Sequence, residues 1–127
     1  SKLGIGELVV FTGAIKDTVS ALCMADVFML SSETESFGLV ALEAMAASVP
    51  VVSTNSGGLP EVNLHRQTGL LNEVGDYHQM AENVKEILSN DTVFKGYKSR
   101  AFDRAVKFDV SKIAPKYMEI YQSILFR

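Results

Sequence analysis

A single cysteine, Cys23, excludes an internal disulfide and any cysteine-rich zinc site. It lies in the apolar stretch Ala21-Leu22-Cys23-Met24-Ala25 with no polarising neighbour in sequence, which predicts a buried structural thiol rather than a reactive one. The only two histidines, His65 and His78, lack metal-ligand spacing and are expected at the surface. Positive charge is scarce as well. Lys and Arg number 12 against 15 Asp and Glu, and the net charge of −3 leaves no footprint for nucleic acid or an anionic membrane. An anionic ligand would have to be held locally, by helix ends and a few side chains. No apolar run is long enough to span a bilayer and no signal peptide opens the chain, so a cytoplasmic setting is the default expectation. The first residue is Ser1 rather than methionine, with a predicted strand close behind it, which reads as a cut inside a longer gene product.

What is present is the balance of a globular protein. With 47% hydrophobic and 21% charged residues, a chain of 127 can build one domain with a core but not two ordinary ones. Strands are predicted at Leu8–Thr12, Val27–Leu30, Pro50–Thr54 and Gly69–Leu71. Between them fall helices from the Asp17-Thr18 cap to Met24, from Gly38 to Ala47 and from Leu59 to Leu64. Beyond Gly75-Asp76 only helices follow, one capped by Asp76 and carrying Met80, Val84, Ile87 and Leu88, then one from Asp91 to Val106 and one from Ser111 to Leu125. Alternating strands and helices imply parallel pairing. The expected fold class is α/β, half of a doubly wound Rossmann-like parallel sheet, with residues 1–76 carrying the ligand site and 77–127 a helical tail of the same domain. In such sheets ligands bind outside the carboxyl ends of the strands, here the loops after Phe11, Leu30 and Thr54.

The chemistry concentrates between Glu35 and Ala47. From Leu39 to Ala47 every residue but Glu43 is apolar, the pattern of a helix buried on most sides. A carboxylate there either reaches solvent or meets a donor, and a ribose diol is an apt donor. Phe37-Gly38-Leu39 opens that helix, where free N–H groups and the helix dipole suit a phosphate and Gly38 permits close approach. Glu35, just ahead, would sit beside whatever the phosphate carries, a sugar hydroxyl for instance. Taken alone, the spacing equally allows both glutamates to be solvated carboxylates on a surface helix. Gly57-Gly58 reads either as a turn or as a point of close sugar approach. Glu61 reads as a structural hydrogen-bonding group. Met80 and the face of Tyr117, Tyr121 and Ile124 read as core or interdomain contacts.

Glu35 and Glu43 enclose seven residues, and ordered blocks surround them: Phe11-Thr12-Gly13, Ala25-Asp26-Val27-Phe28, Glu35-Ser36-Phe37-Gly38, Glu43-Ala44-Met45-Ala46, Val49-Pro50-Val51-Val52, Ser56-Gly57-Gly58, Thr68-Gly69-Leu70-Leu71 and Gly75-Asp76. In this order and spacing the chain resembles the retaining glycosyltransferases of family four, which have the two-domain GT-B fold. The resemblance implies the C-terminal, donor-binding domain of such an enzyme. It implies that Glu35 bonds donor-sugar hydroxyls and is the catalytic residue of this half, and that Glu43 bonds the ribose. Backbone groups of Phe37, Gly38 and Leu39 would meet sugar and diphosphate, with Gly57 and Gly58 close to the sugar. Main-chain atoms near Ile15 would read the nucleobase. It also implies a UDP-sugar donor, no metal and no other cofactor, and a small-molecule acceptor bound mainly by an N-terminal domain. The run Gly57-Gly58-Leu59-Pro60-Glu61-Val62-Asn63, read together with Val74-Gly75-Asp76 and the run from Glu35 to Ala47, is similar to the branch that joins N-acetylglucosamine from UDP-N-acetylglucosamine to L-malate in bacillithiol biosynthesis. Ser48 and Arg66-Gln67 depart from the family where it often has turn glycines. The family's basic diphosphate-binding residues would precede Ser1, so the chain by itself is expected to be inactive. Polysaccharide or lipid acceptors and a non-catalytic nucleotide-sugar module are the competing readings. A dinucleotide oxidoreductase is disfavoured, since no G-x-G-x-x-G follows a strand.

Overall fold

A computed structural model describes residues 3–126. Its sheet has parallel strands β1 (Phe28–Leu30), β2 (Val51–Thr54) and β3 (Gly69–Asn72), in that spatial order. Phe28 lies opposite Val51, and Val51 opposite Gly69. Helix α1 (Thr18–Cys23) precedes β1, α2 (Leu39–Ala46) joins β1 to β2, and α3 (Leu59–Val62) lies between β2 and β3. Three helices close the chain: α4 (Tyr77–Ile87), α5 (Asp91–Val106) and α6 (Val110–Leu125). The parallel α/β sheet and helical tail agree with the sequence.

The core has two halves because successive strand residues face opposite ways. Val51 joins Ala41, Ala44 and Met45 of α2, Leu59 and Val62 of α3, and Ala101 of α5 on one face. Val52 and Leu70 join Met80 and Ile87 of α4 and Tyr97 of α5 on the other. Helix α5 thus serves both halves, and β2 is buried along its whole length, as a parallel strand covered on both faces should be. Asn63 sits fully buried between them. Its Nδ2 donates to Val51 O (3.1 Å), Ser53 Oγ (3.0 Å) and Leu70 O (3.3 Å), and its Oδ1 accepts from Thr68 Oγ1 (3.4 Å). The predicted caps hold: Asp17 accepts from Ser20 N–H at 3.0 Å and Asp76 from Gln79 N–H at 2.9 Å.

Three expectations are corrected. Leu8–Thr12 is not a strand: Gly6–Leu8 forms a 3-10 turn, and Val10 and Phe11 are exposed. A β-rich run becomes a strand only with a ladder partner, and no described residue pairs with it. Cys23 is exposed rather than buried, because α1 turns Leu22 and, just past its end, Ala25 toward the core while Cys23 falls on the outer side. Helix α2 is buried along one face only. Leu39, Glu43 and Ala46, at helical spacing, form an exposed stripe.

Candidate functional site

The carboxyl ends of the three strands are laced together by loop-to-loop hydrogen bonds. Thr54 Oγ1 donates to Ser32 O (2.7 Å), Ser56 Oγ to Glu33 O (2.8 Å), and Gly58 N–H to Glu35 O (3.2 Å). On the other side, Asn55 N–H donates to Asn72 O (2.9 Å) and Asn55 Nδ2 to Glu73 Oε1 (2.6 Å). The loop after β1 is therefore tied to the end of β2 and the loop after it. Glu35 lies in that laced loop, half-buried, with its main chain fixed by Gly58.

Gly57 and Gly58 are what allow this. A Cβ on Gly57 would fall 1.6 Å from Glu35 O, and one on Gly58 would fall 2.6 Å from Ser36 O. The close approach at this pair is made by the Glu35–Phe37 backbone. Gly38 is constrained differently. It caps α2 in the left-handed region at a φ of +91°, and a Cβ there would meet Leu59 Cδ2 at 2.6 Å. Phe37 turns its ring inward, edge-on to Phe108 at 5.9 Å, so that its main chain rather than its ring is left for any ligand.

At the start of α2 the first helical bonds run from Ala41 N–H and Leu42 N–H to Gly38 O. The amides of Leu39 and Val40 have no acceptor among the described residues. These are the free donors that a helix N-terminus presents to an anion. The Leu39 side chain is exposed beside them.

One turn further along the same stripe stands Glu43, exposed to solvent. A pocket of about 270 Å³ opens beside it, walled by Ile15, Ala21, Leu22, Phe28 and Val40. Among the described residues its polar side chains are Glu43 and Thr18. Ile15 and Glu43, far apart in sequence, are thus brought together, whereas Glu35, Gly57 and Gly58 gather at the strand ends beyond the start of α2. Glu43 also borders a larger pocket of about 350 Å³ with Thr18, Val19 and the exposed Cys23. Thr18 was missed at the sequence level. The only signal it offered was its position beside a cap, which gives a hydroxyl no direction.

His65 is exposed and accepts from Leu71 N–H through Nδ1 at 2.9 Å, a structural use, and His78 stacks with Tyr77 at 4.4 Å. Glu61 contributes through its main chain, where its carbonyl, with that of Val62, accepts from Arg104. Met80 is in the core, whereas Tyr117, Tyr121 and Ile124 are exposed on α6. No helix among the described residues is long and apolar enough to cross a membrane.

Comparison with known proteins gives the family and the fold. Residues 1–105 match the family Glycosyl transferases group 1. The chain is 40% identical over 124 residues to N-acetyl-alpha-D-glucosaminyl L-malate synthase of Bacillus anthracis, covering 97% of this chain and 32% of that protein. It is 35% identical over 100 residues to 2-deoxystreptamine N-acetyl-D-glucosaminyltransferase of Niallia circulans, covering 78% of this chain and 26% of that protein. Among solved structures, Anabaena HepE in complex with UDP superposes with a TM-score of 0.91 at 28% identity, covering 96% of this chain and 34% of that one. The chain thus spans between about a quarter and a third of the length of these relatives. Its sequence, its parallel sheet and its structural neighbours agree, and the chain belongs to the group 1 glycosyl transferases.

Proposed function

We propose that this chain is the donor-binding half of a retaining glycosyltransferase that transfers N-acetylglucosamine from UDP-N-acetylglucosamine to L-malate. The observation that carries the donor reading is the shared pocket of Ile15 and Glu43 beside the free amides at the start of α2. In this reading main-chain atoms near Ile15 read the uracil edge and Glu43 accepts from the ribose hydroxyls. The diphosphate lies against the amides at Phe37, Gly38 and Leu39, which matters in an acidic chain without a basic surface to attract it. Glu35, held by the laced loop with Gly57 and Gly58 behind it, accepts from hydroxyls of the donor sugar.

The reaction breaks the bond between the anomeric carbon and the diphosphate oxygen. It forms a bond from the same carbon to the acceptor oxygen on the same face of the ring. The acceptor hydroxyl proton passes to the leaving phosphate, and UDP departs. The malate and bacillithiol assignment is supported by the identity to the Bacillus anthracis enzyme. The acceptor itself would be held mainly by an N-terminal domain, to which the exposed Tyr117, Tyr121 and Ile124 face of α6 would also dock.

The test is binding and turnover in the longer protein. Glu43→Gln removes a charge-assisted acceptor and weakens UDP binding by about 1.5–3 kcal/mol, whereas Glu35→Gln lowers turnover with UDP affinity retained. Unchanged UDP affinity in the Glu43 variant, by calorimetry, contradicts the ribose assignment. The 127-residue chain alone is expected not to transfer sugar. Reproducible transfer to malate by the pure chain would overturn that expectation.

A further inference from the structure

Gly58 N–H holds Glu35 O, and Gly38 O accepts the first bonds of α2. Between these two points no main-chain amide finds an acceptor among the described residues. The side chain that anchors the stretch is Phe37, half-buried and packed against the core. Its ring meets that of Phe108 with centroids 5.9 Å apart and planes at 68°, an edge-to-face arrangement that aromatic quadrupoles favour. Phe108 lies just past the end of α5 and its main chain is secured on both sides. Its N–H donates to Ala105 O (2.9 Å), and the next residue, Asp109, caps α6 by accepting from Ser111 N–H (2.8 Å).

Over the Phe108 ring stands the Arg104 guanidinium, its carbon 4.8 Å from the centroid, in cation–π contact. Arg104 lies one turn earlier, within α5. Its fork reaches a third element: Nε donates to Val62 O (3.2 Å) and Nη2 to Glu61 O, carbonyls that the end of α3 leaves without helical partners. Helix α3 returns to the start of α2, since a Cβ on Gly38 would lie 2.6 Å from Leu59 Cδ2. The contacts thus close a ring that runs from Gly38 through Phe37, Phe108, Arg104 and α3 back to Gly38. Capping α3 alone would need the two carbonyl bonds of Arg104 but not the aromatic ring beneath it.

We propose that Arg104 and Phe108 are positioning residues for the donor site, their stack setting the Phe37 ring and with it the direction of the Leu39 and Val40 amides. This rests on the donor reading above, in which a diphosphate lies against the start of α2. The experiment is an amide-resolved NMR titration with UDP of the full 127-residue chain, unsubstituted and as Phe108→Leu, Phe108→Tyr and Arg104→Lys. Phe108→Leu keeps apolar bulk but loses the ring. Before UDP is added it is expected to shift the Gly38, Leu39 and Val40 amides while those of Val52 and Leu70 stay in place. It is also expected to weaken UDP binding about threefold, the scale of one aromatic contact. Phe108→Tyr keeps the ring and is expected to bind UDP as the unsubstituted chain does. Arg104→Lys keeps a cation without the planar fork, and is expected to shift the same amides and weaken UDP about twofold. It carries the test if Phe108→Leu does not fold. Loss of stability alone would move neither the amide positions nor the UDP affinity of the folded chain. Equal UDP affinity in all four chains, or Leu39 and Val40 amides unmoved by the substitutions, overturns the positioning role and leaves the donor reading standing. No UDP shift at Leu39 and Val40 in the unsubstituted chain overturns the donor reading, and the positioning role falls with it.

Discussion

Gly57 stands at a φ of +54°, with the Glu35 carbonyl where its side chain would begin. The contact excludes any other residue, because it is with main chain that cannot rotate away, and the left-handed backbone would add strain to an L side chain. Gly57→Ala should therefore cost about 1–3 kcal/mol of stability and displace the Glu35 loop, read by urea unfolding and by amide shifts at Glu33 through Phe37. Unchanged stability with unchanged shifts would contradict the lacing described above. For Gly38 the structure supplies a different reason from the one the sequence suggests. Close approach of a ligand is one use of a glycine at a helix start, but here a φ of +91° and the Leu59 side chain already require it. Gly38→Val is thus expected to lose donor affinity together with stability. Asn63 was not legible at all, since a lone asparagine after a short helix carries no sign of burial. Replacing it with alanine leaves Val51 O, Ser53 Oγ and Leu70 O without their shared donor, at an expected cost of about 1–3 kcal/mol.

At the scale of elements, local signals were reliable where the partner was also local. The helix caps at Asp17 and Asp76 are fixed within a few residues and were legible for that reason. Asp17 accepts from both the hydroxyl and the amide of Ser20, which holds its carboxyl below the ordinary aspartate value of 3.8. A lowered folded-state value means that the cap stabilises α1 fully above the unfolded value and fails as pH falls through the folded one. Amide exchange at Ser20, followed as pH is lowered through 3.8 and below, should show protection decreasing in that window, with no such loss in Asp17→Asn. Strands β1, β2 and β3 were legible as apolar runs bounded by turn residues, and their parallel pairing followed from the intervening helices. Leu8–Thr12 was misread because strand formation depends on a partner that the run itself cannot specify. Cys23 was misread for a related reason: an apolar stretch fixes that a helix has a buried face, but at six residues α1 is too short to fix which residues lie on it. In α2, the single glutamate in an apolar run left open whether its carboxylate reaches solvent or meets a donor; Glu43 is exposed, and the stripe it shares with Leu39 and Ala46 was not legible in a run otherwise wholly apolar.

Across the whole molecule, the sequence-predicted residues divide between the strand ends, the start of α2 and the gap between α1 and α2. Glu35, Gly57 and Gly58 occupy the laced loops, Gly38 and Leu39 the helix start, and Ile15 and Glu43 the pocket beside α1. That division suits an elongated ligand with a sugar at one end, a base at the other and a charged centre between them. The measurement that tests this most directly is an NMR titration of the chain with UDP, read residue by residue. Saturable shifts are expected at Ile15, Thr18, Leu39, Val40 and Glu43, largest at the two free amides that open α2. Shifts confined to other surfaces, with the Leu39 and Val40 amides unmoved at saturation, would contradict the donor reading.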